Sequence, residues 1–315
     1  METFKTQLLA TLEDLCKDTG TTVATSQVTK QNDIEFTAIC LVPKDSDICS
    51  IYYAEELFER YQEGHTILEI ATDILRHNQH DSVVTNSSFI TSFVSSLDSY
   101  DFVKNHLAVR LLNLNTNRNY LSDKVYYPYL ESDESHELAI CIGINVPKFG
   151  DGIGTIPVTN HLRSQWDVSD EKLLTDAITN TEETCGYKIR SVLEVLTLLA
   201  EKKNTVEYVK NIINEPPMYV LTNNSFVNGA ATILYKNAIK AFADEEQCNL
   251  FIIPSSIHEV LLVPDDGSLN GDYIKRMIVQ VNQTEVAPCE VLSNQLLYYS
   301  RTDNRISIYT SSQGD

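Results

Sequence analysis

The chain lacks any unbroken apolar run near the roughly 20 residues that a membrane-spanning helix needs. Even Ile189 to Ala200 is interrupted by Arg190, Glu194 and Thr197, so that segment predicts an amphipathic helix and no membrane association is expected. The opening Met1-Glu2-Thr3-Phe4-Lys5 has no basic stretch followed by an apolar core, the mark of an export signal, so a cytoplasmic protein is expected. A cysteine pattern is also missing. Cys16, Cys40, Cys49, Cys141, Cys185, Cys248 and Cys289 are scattered, odd in number and never spaced Cys-x-x-Cys. They read as small hydrophobes rather than a disulfide framework, a reactive thiol being the alternative without support.

Positive charge is scarce. The 24 basic residues face 44 acidic ones, for a formal net charge of -20. Such a balance would repel a nucleic-acid backbone or an anionic membrane, so direct nucleic-acid binding is not expected. It serves solubility on one reading and docking onto a basic protein partner on another. No dinucleotide fingerprint, Walker loop or paired-carboxylate motif is present, and no cofactor is expected. Gly150, Gly152 and Gly154 come closest, but Thr155-Ile156-Pro157-Val158 follows as an extended segment where a phosphate loop would need a helix, which predicts a plain turn. His77 and His80 lack the further ligands a zinc site requires and read as a polar helix end; no metal site is expected.

What is present is an ordinary folded composition, 43% hydrophobic and 22% charged, over 315 residues. That length fits two or three domains, each large enough to bury its own core. We divide it into an N-terminal α+β domain over 1–128, a central strand-and-helix domain over 129–215 and a C-terminal α+β domain over 216–315. Phe4, Leu8, Leu12 and Leu15 recur at helical spacing. Thr21 to Val28 and Ile34 to Val42 predict a β-hairpin turning at Lys30 to Asp33, with Ile51-Tyr52-Tyr53 as a third element. Helices follow around Leu57, Phe58, Tyr61, Ile67, Ile70 and Leu75, and again over Ser87 to Leu114 through Phe93, Leu97, Phe102, Leu107 and Leu111. Glu131 to Ser135 reads as a solvated acidic loop before the strand Leu138 to Val146.

Ser169 predicts an N-cap, with Asp170 and Glu171 in the first helical turn and Leu173, Leu174, Ala177 and Ile178 as its apolar stripe. A helix over Lys188 to Lys202 and a boundary at Pro216-Pro217 come next. The last hundred residues predict strand Met218 to Thr222, a turn at Asn223-Asn224, helix Gly229 to Glu245, hairpin Leu250–Pro254 with Glu259–Pro264, helix Leu269 to Asn282 burying Ile274, Ile278 and Val281, and hairpin Leu292–Tyr299 with Arg305–Tyr309. The fold class expected is α+β, with mainly antiparallel sheets and helices on their faces. Trp166 and the tyrosines read as core and interface residues.

Tyr219 to Asn223, Gly229-Ala230-Ala231, Leu234-Tyr235, Pro254 to Val260 and Asn282 to Val286 carry a resemblance. These segments resemble the bacterial domain of unknown function numbered five-six-eight-eight, most clearly over residues 138 to 309, with Val158-Thr159-Asn160 and Trp166 in its central block. The first half is similar more loosely, through Glu55 to Phe58 and Tyr61 to Gly64. Lys236 departs from the proline expected after the tyrosine and would leave the helix there unbroken. The resemblance implies no assigned activity.

Ser255, Ser256, His258 and Glu259 place two hydroxyls, an imidazole and a carboxylate at one hairpin end, with Asn282, Thr284 and Glu285 as further candidates. A serine hydrolase needs a hydroxyl bonded to a base that a third group orients. Alternation along a strand would put Ser256 and His258 on one face and Glu259 on the other. The competing readings are turn residues satisfying backbone groups, and an edge that binds a protein partner.

Overall fold

A computed structural model describes residues 1–44, 49–85, 88–130, 137–149, 152–195, 197 and 217–310. The chain has an α+β fold with mainly antiparallel sheets. It divides into two compact units, residues 1–99 with 146–155 and residues 100–145 with 156–315.

In the first unit, helix α1 (Glu2–Cys16) buries Phe4, Leu8, Leu12 and Cys16. The sequence stripe is right except at its end, where Leu15 turns outward and Cys16 takes the inner position. Strands β1 (Thr21–Thr29), β2 (Glu35–Pro43) and β3 (Ser50–Tyr53) form a meander. Asn32 and Asp33, both at positive φ, make the first turn, a conformation that short polar side chains tolerate. Helices α2 (Ala54–Gln62) and α3 (Ile67–Thr85) pack Leu57, Ile70 and Ile74 against Ile39 and Leu41, and α4 (Ser88–Val94) follows.

The second unit opens with the short helix α5 (Tyr100–Val103) and then β4 (Leu107–Asn113), where the sequence had pointed to more helix. Leu107 and Leu111 are four apart, a spacing that suits one helical face and one strand face alike. Burial of Leu107, Val109 and Leu111 shows that period two wins. β5 (Tyr126–Tyr129) and β4 flank β6 (Leu138–Phe149), and β7 (Gly152–Pro157) also pairs with β6, residues 146–149 and 152–155 of these two strands belonging to the first unit. Gly152 and Gly154 therefore belong to a strand; Gly150 and the acidic segment Glu131 to Ser135 lie outside the described residues. After α6 (Asn160–Arg163), helix α7 (Asp170–Cys185) starts where Ser169 accepts a hydrogen bond from the Lys172 N–H. It is stitched to β4: Thr181 Oγ1 accepts from Val109 N at 2.9 Å, and Asn180 Nδ2 donates to the Leu107 carbonyl at 2.6 Å. Trp166 is buried, its ring 5.9 Å from that of Tyr100.

Lys188–Ser191 is strand β8, correcting the helix expected from Lys188. It pairs with β9 (Tyr219–Thr222), so ladder hydrogen bonds outweigh the local preference, and helix begins at residue 192; residues 198–202 of the expected helix lie outside the described residues. Pro216 lies outside the described residues. The predicted helix from Gly229 is also two elements. Gly229–Leu234 is a 3-10 helix, the chain is extended at Tyr235, and α8 (Ala238–Glu246) begins afresh. Lys236 thus does not keep the helix continuous. The first piece is held from outside itself, by Ala230 N donating to the Ile257 carbonyl.

Strands β10 (Asn249–Ile253) and β11 (Val260–Asp265) form the expected hairpin, helix α9 (Gly271–Thr284) follows, and β12 (Leu297–Ser300) pairs with β13 (Arg305–Ile308). The sheet order is β13-β12-β10-β11-β9-β8. α9 buries Ile274 and Ile278 against Phe251, Val263 and Leu296, while Val281 faces solvent and Asn282 takes the inner position instead. No described helix is long and apolar enough to cross a membrane.

Candidate functional site

The β10–β11 connection, residues 254 to 259, is an irregular bend rather than a tight turn, because β11 begins only at Val260. The strand alternation expected for Ser256 and His258 therefore does not apply. Residues 255 to 257 run along the 290–293 segment: Ile257 N donates to the Glu290 carbonyl, Leu292 N to the Ser255 carbonyl and Ser293 N to the Pro254 carbonyl.

Within this bend Ser256 is buried. Its hydroxyl accepts from His258 N at 3.0 Å and bonds the Glu259 carboxylate. Burial holds that carboxylate's pKa above the usual range, against the opposing pull of the Ser256 hydroxyl and the His258 ring. The His258 imidazole turns the other way. Its Nδ1 accepts from Asn228 N at 3.3 Å and its Nε2 lies 3.4 Å from Glu290 Oε1. Since Nδ1 is the acceptor, the neutral ring carries its proton on Nε2, toward Glu290. The two nitrogens are thus committed elsewhere, and Ser256 is bonded to His258 through the backbone, not the ring.

The remaining candidates separate. Asn282 is buried on α9, with Nδ2 donating to the Ser293 carbonyl and to Asn294 Oδ1, both at 2.9 Å. Its Oδ1 is buried with no hydrogen-bond partner among the described residues. It joins a polar network beyond the bend, in which Ser293 donates to Glu137 Oε2 at 3.0 Å and Asn113 Nδ2 donates to Glu137 Oε1 and to the Leu292 carbonyl, each at 2.9 Å. Thr284 and Glu285 end α9 exposed, and Thr284 bonds only the Gln280 carbonyl one turn back among the described residues. Ser255 contributes backbone alone to the contacts above.

Facing the bend is a segment that sequence reading recognised only as a turn at Asn223-Asn224. The Asn223 side chain closes it, its Nδ2 donating to the Val227 carbonyl at 2.8 Å and its Oδ1 accepting from Ser225 N and Oγ. Asn224 N reaches the Cys185 carbonyl, and Asn228 N reaches His258. Phe226 and Asn228 have φ of 60° and 54°. For asparagine that is common, but a bulky phenylalanine there is strained and persists only where its surroundings fix it. The residue is nevertheless 55% exposed, as is Val227. The Asn228-Gly229 pair was the available signal, since asparagine and glycine supply left-handed conformations. Gly229 itself is required by contact: a Cβ there would meet Thr222 Oγ1 at 2.1 Å and the His258 carbonyl at 2.3 Å. Thr222 Oγ1 donates to that same carbonyl at 2.7 Å.

Among the described residues no cluster of histidine, cysteine, aspartate and glutamate could hold a metal ion, and all seven cysteines are free thiols, Cys16 and Cys141 buried and the other five half-buried. Neither the curated proteins nor the solved structures offer a match to this chain. A family model does match, over residues 1–301, and the chain belongs to the family of unknown function DUF5688.

Proposed function

We propose that this protein is a non-enzymatic protein-binding module of the cytoplasm, and that it engages its partner through the loop carrying Phe226 and Val227. The observation that carries this reading is a strained phenylalanine, braced on both sides yet 55% exposed. An apolar pair held in one conformation binds without the ordering cost of a mobile loop. The net charge of -20 suits a partner with a basic rim around an apolar pocket. Free cysteines agree with a reducing compartment. The alternative, hydrolysis by Ser255 or Ser256 with His258, is disfavoured by the imidazole's bonds to Asn228 and Glu290.

The test is retention of partners from the native host on the immobilised parent and on a Phe226→Ser, Val227→Ser double variant. We expect a specific complex that weakens with salt and whose affinity falls about tenfold or more in the variant, as for an exposed aromatic anchor. Identical retention by both proteins would refute the loop. Generic esters and phosphoesters should turn over at equal background rates with the parent and with His258→Ala, and a rate lost in the variant would restore the hydrolase.

A further inference from the structure

A cavity of about 680 Å³ opens in the second unit, bounded by the 114–127 segment, α6 and the start of α7. It forms because Lys124 bridges Thr159 in antiparallel fashion while Val125 N donates to the Val158 carbonyl and Asn160 N to the Asp123 carbonyl, leaving the turn before Lys124 to arch over. Arg118, Lys124 and Arg163 line it, against the single carboxylate of Asp170, in a chain with 20 more negative than positive charges.

The cations and anions here are unequally placed. Lys124 and Arg163 are 17% and 20% exposed, whereas their partners Asp123 and Asp170 are 66% and 69% exposed. An exposed carboxylate is solvated and weakly held, so it can swing away at small cost, while the buried cation cannot. Arg118 has no carboxylate within salt-bridge distance among the described residues; its one described bond is to Asn115 Oδ1 at 3.2 Å. Arg163 Nε is buried with no hydrogen-bond partner among the described residues, although Nη1 donates to the Trp166 carbonyl and Nη2 to the Val168 carbonyl and Asp170. Lys124 Nζ lies 4.3 Å from the Tyr120 ring centre and donates to the Tyr120 carbonyl, which fixes its position before any ligand arrives. Tyr126 and Tyr127 complete the wall with aromatic surface.

We propose that this cavity binds a small phosphomonoester of about mononucleotide size, its phosphate held by Arg118, Lys124 and Arg163 and its planar part set against Tyr126. The size lies in the range of small-molecule sites. A phosphate monoester carries close to two negative charges and accepts several charge-assisted bonds at once, so three cations lining one cavity suit it better than they suit a ligand with a single carboxylate. This inference is independent of the Phe226 loop, since the cavity and the loop share no residue.

The full chain is titrated with AMP, with inorganic phosphate and with citrate, following both thermal unfolding and binding heat. AMP should bind saturably and raise the unfolding temperature, inorganic phosphate should compete with it, and citrate should be weaker. Arg118→Gln, an exposed change that leaves the fold intact by circular dichroism, should weaken AMP about tenfold or more, the loss of one charge-assisted bond. No saturable AMP binding up to roughly 10 mM, where even a millimolar site fills, overturns the proposal. So does citrate binding as tight as AMP, or AMP affinity unchanged in Arg118→Gln.

Discussion

Adding one methyl group at Gly229, as Gly229→Ala, should destabilise the second unit by about 3 kcal/mol, the upper end of overpacking costs. The glycine has an ordinary φ, so the whole penalty is steric. The new Cβ would meet Thr222 Oγ1, the His258 carbonyl and Asn223 N, all closer than 3 Å. Two of these atoms are backbone, and the third is the hydroxyl that bonds the His258 carbonyl. Relief would pull the 3-10 helix away from β9 and from the bend together. The chain's one tryptophan, Trp166, is buried in the same unit, so its emission in urea reports the lost stability directly. As a control, Gly267→Ala should cost about 1 kcal/mol: its φ of +81° makes any side chain strained, but nothing lies within 4 Å of the added carbon.

Asn113→Asp should cost about as much at neutral pH, roughly 3 kcal/mol, through electrostatics rather than volume. Asn113 is 6% exposed. Its Oδ1 accepts from Asn115 N and Thr116 N, bonds a carboxylate would keep. Its Nδ2 donates to Glu137 Oε1 and the Leu292 carbonyl, and an oxygen there would face two acceptors, one of them charged. Burial and the Glu137 charge both disfavour ionisation, so the new carboxyl titrates higher in the folded state than its unfolded value of about 3.9. The variant therefore approaches the parent's stability as pH falls below about 4 and loses it progressively as pH rises through the folded value. A pH-independent loss would mean that the network contributes geometry but no charge.

Much of the fold was legible because burial imposed periodic patterns. The α1 stripe, the β1–β2 hairpin, the Ser169 cap and the β10–β11 pair all follow from local spacing and side-chain chemistry. Leu107 to Leu111 and Lys188 to Ser191 were misread because short apolar spacings fit both periods and only a distant partner strand decides between them. The 3-10 piece at Gly229 escaped notice for a related reason: the bond that ties it to the bend, from Ala230 N to the Ile257 carbonyl, reaches a residue that no local window includes. For the candidate site, the contacts of the Pro254 to Glu259 segment could not be read along the chain. His258 bonds Asn228, thirty positions away, and the cavity cations come from segments some forty residues apart.

The central claim is that the Ser255 to Glu259 bend braces the Asn223 to Asn228 loop instead of performing chemistry. Amide hydrogen exchange on the parent and on His258→Ala tests it most directly. The account predicts a protected Asn228 amide in the parent and faster exchange at Asn228 and its loop neighbours in the variant, with the β10 and β11 amides unchanged. Unchanged protection at Asn228 once the imidazole is gone would contradict it.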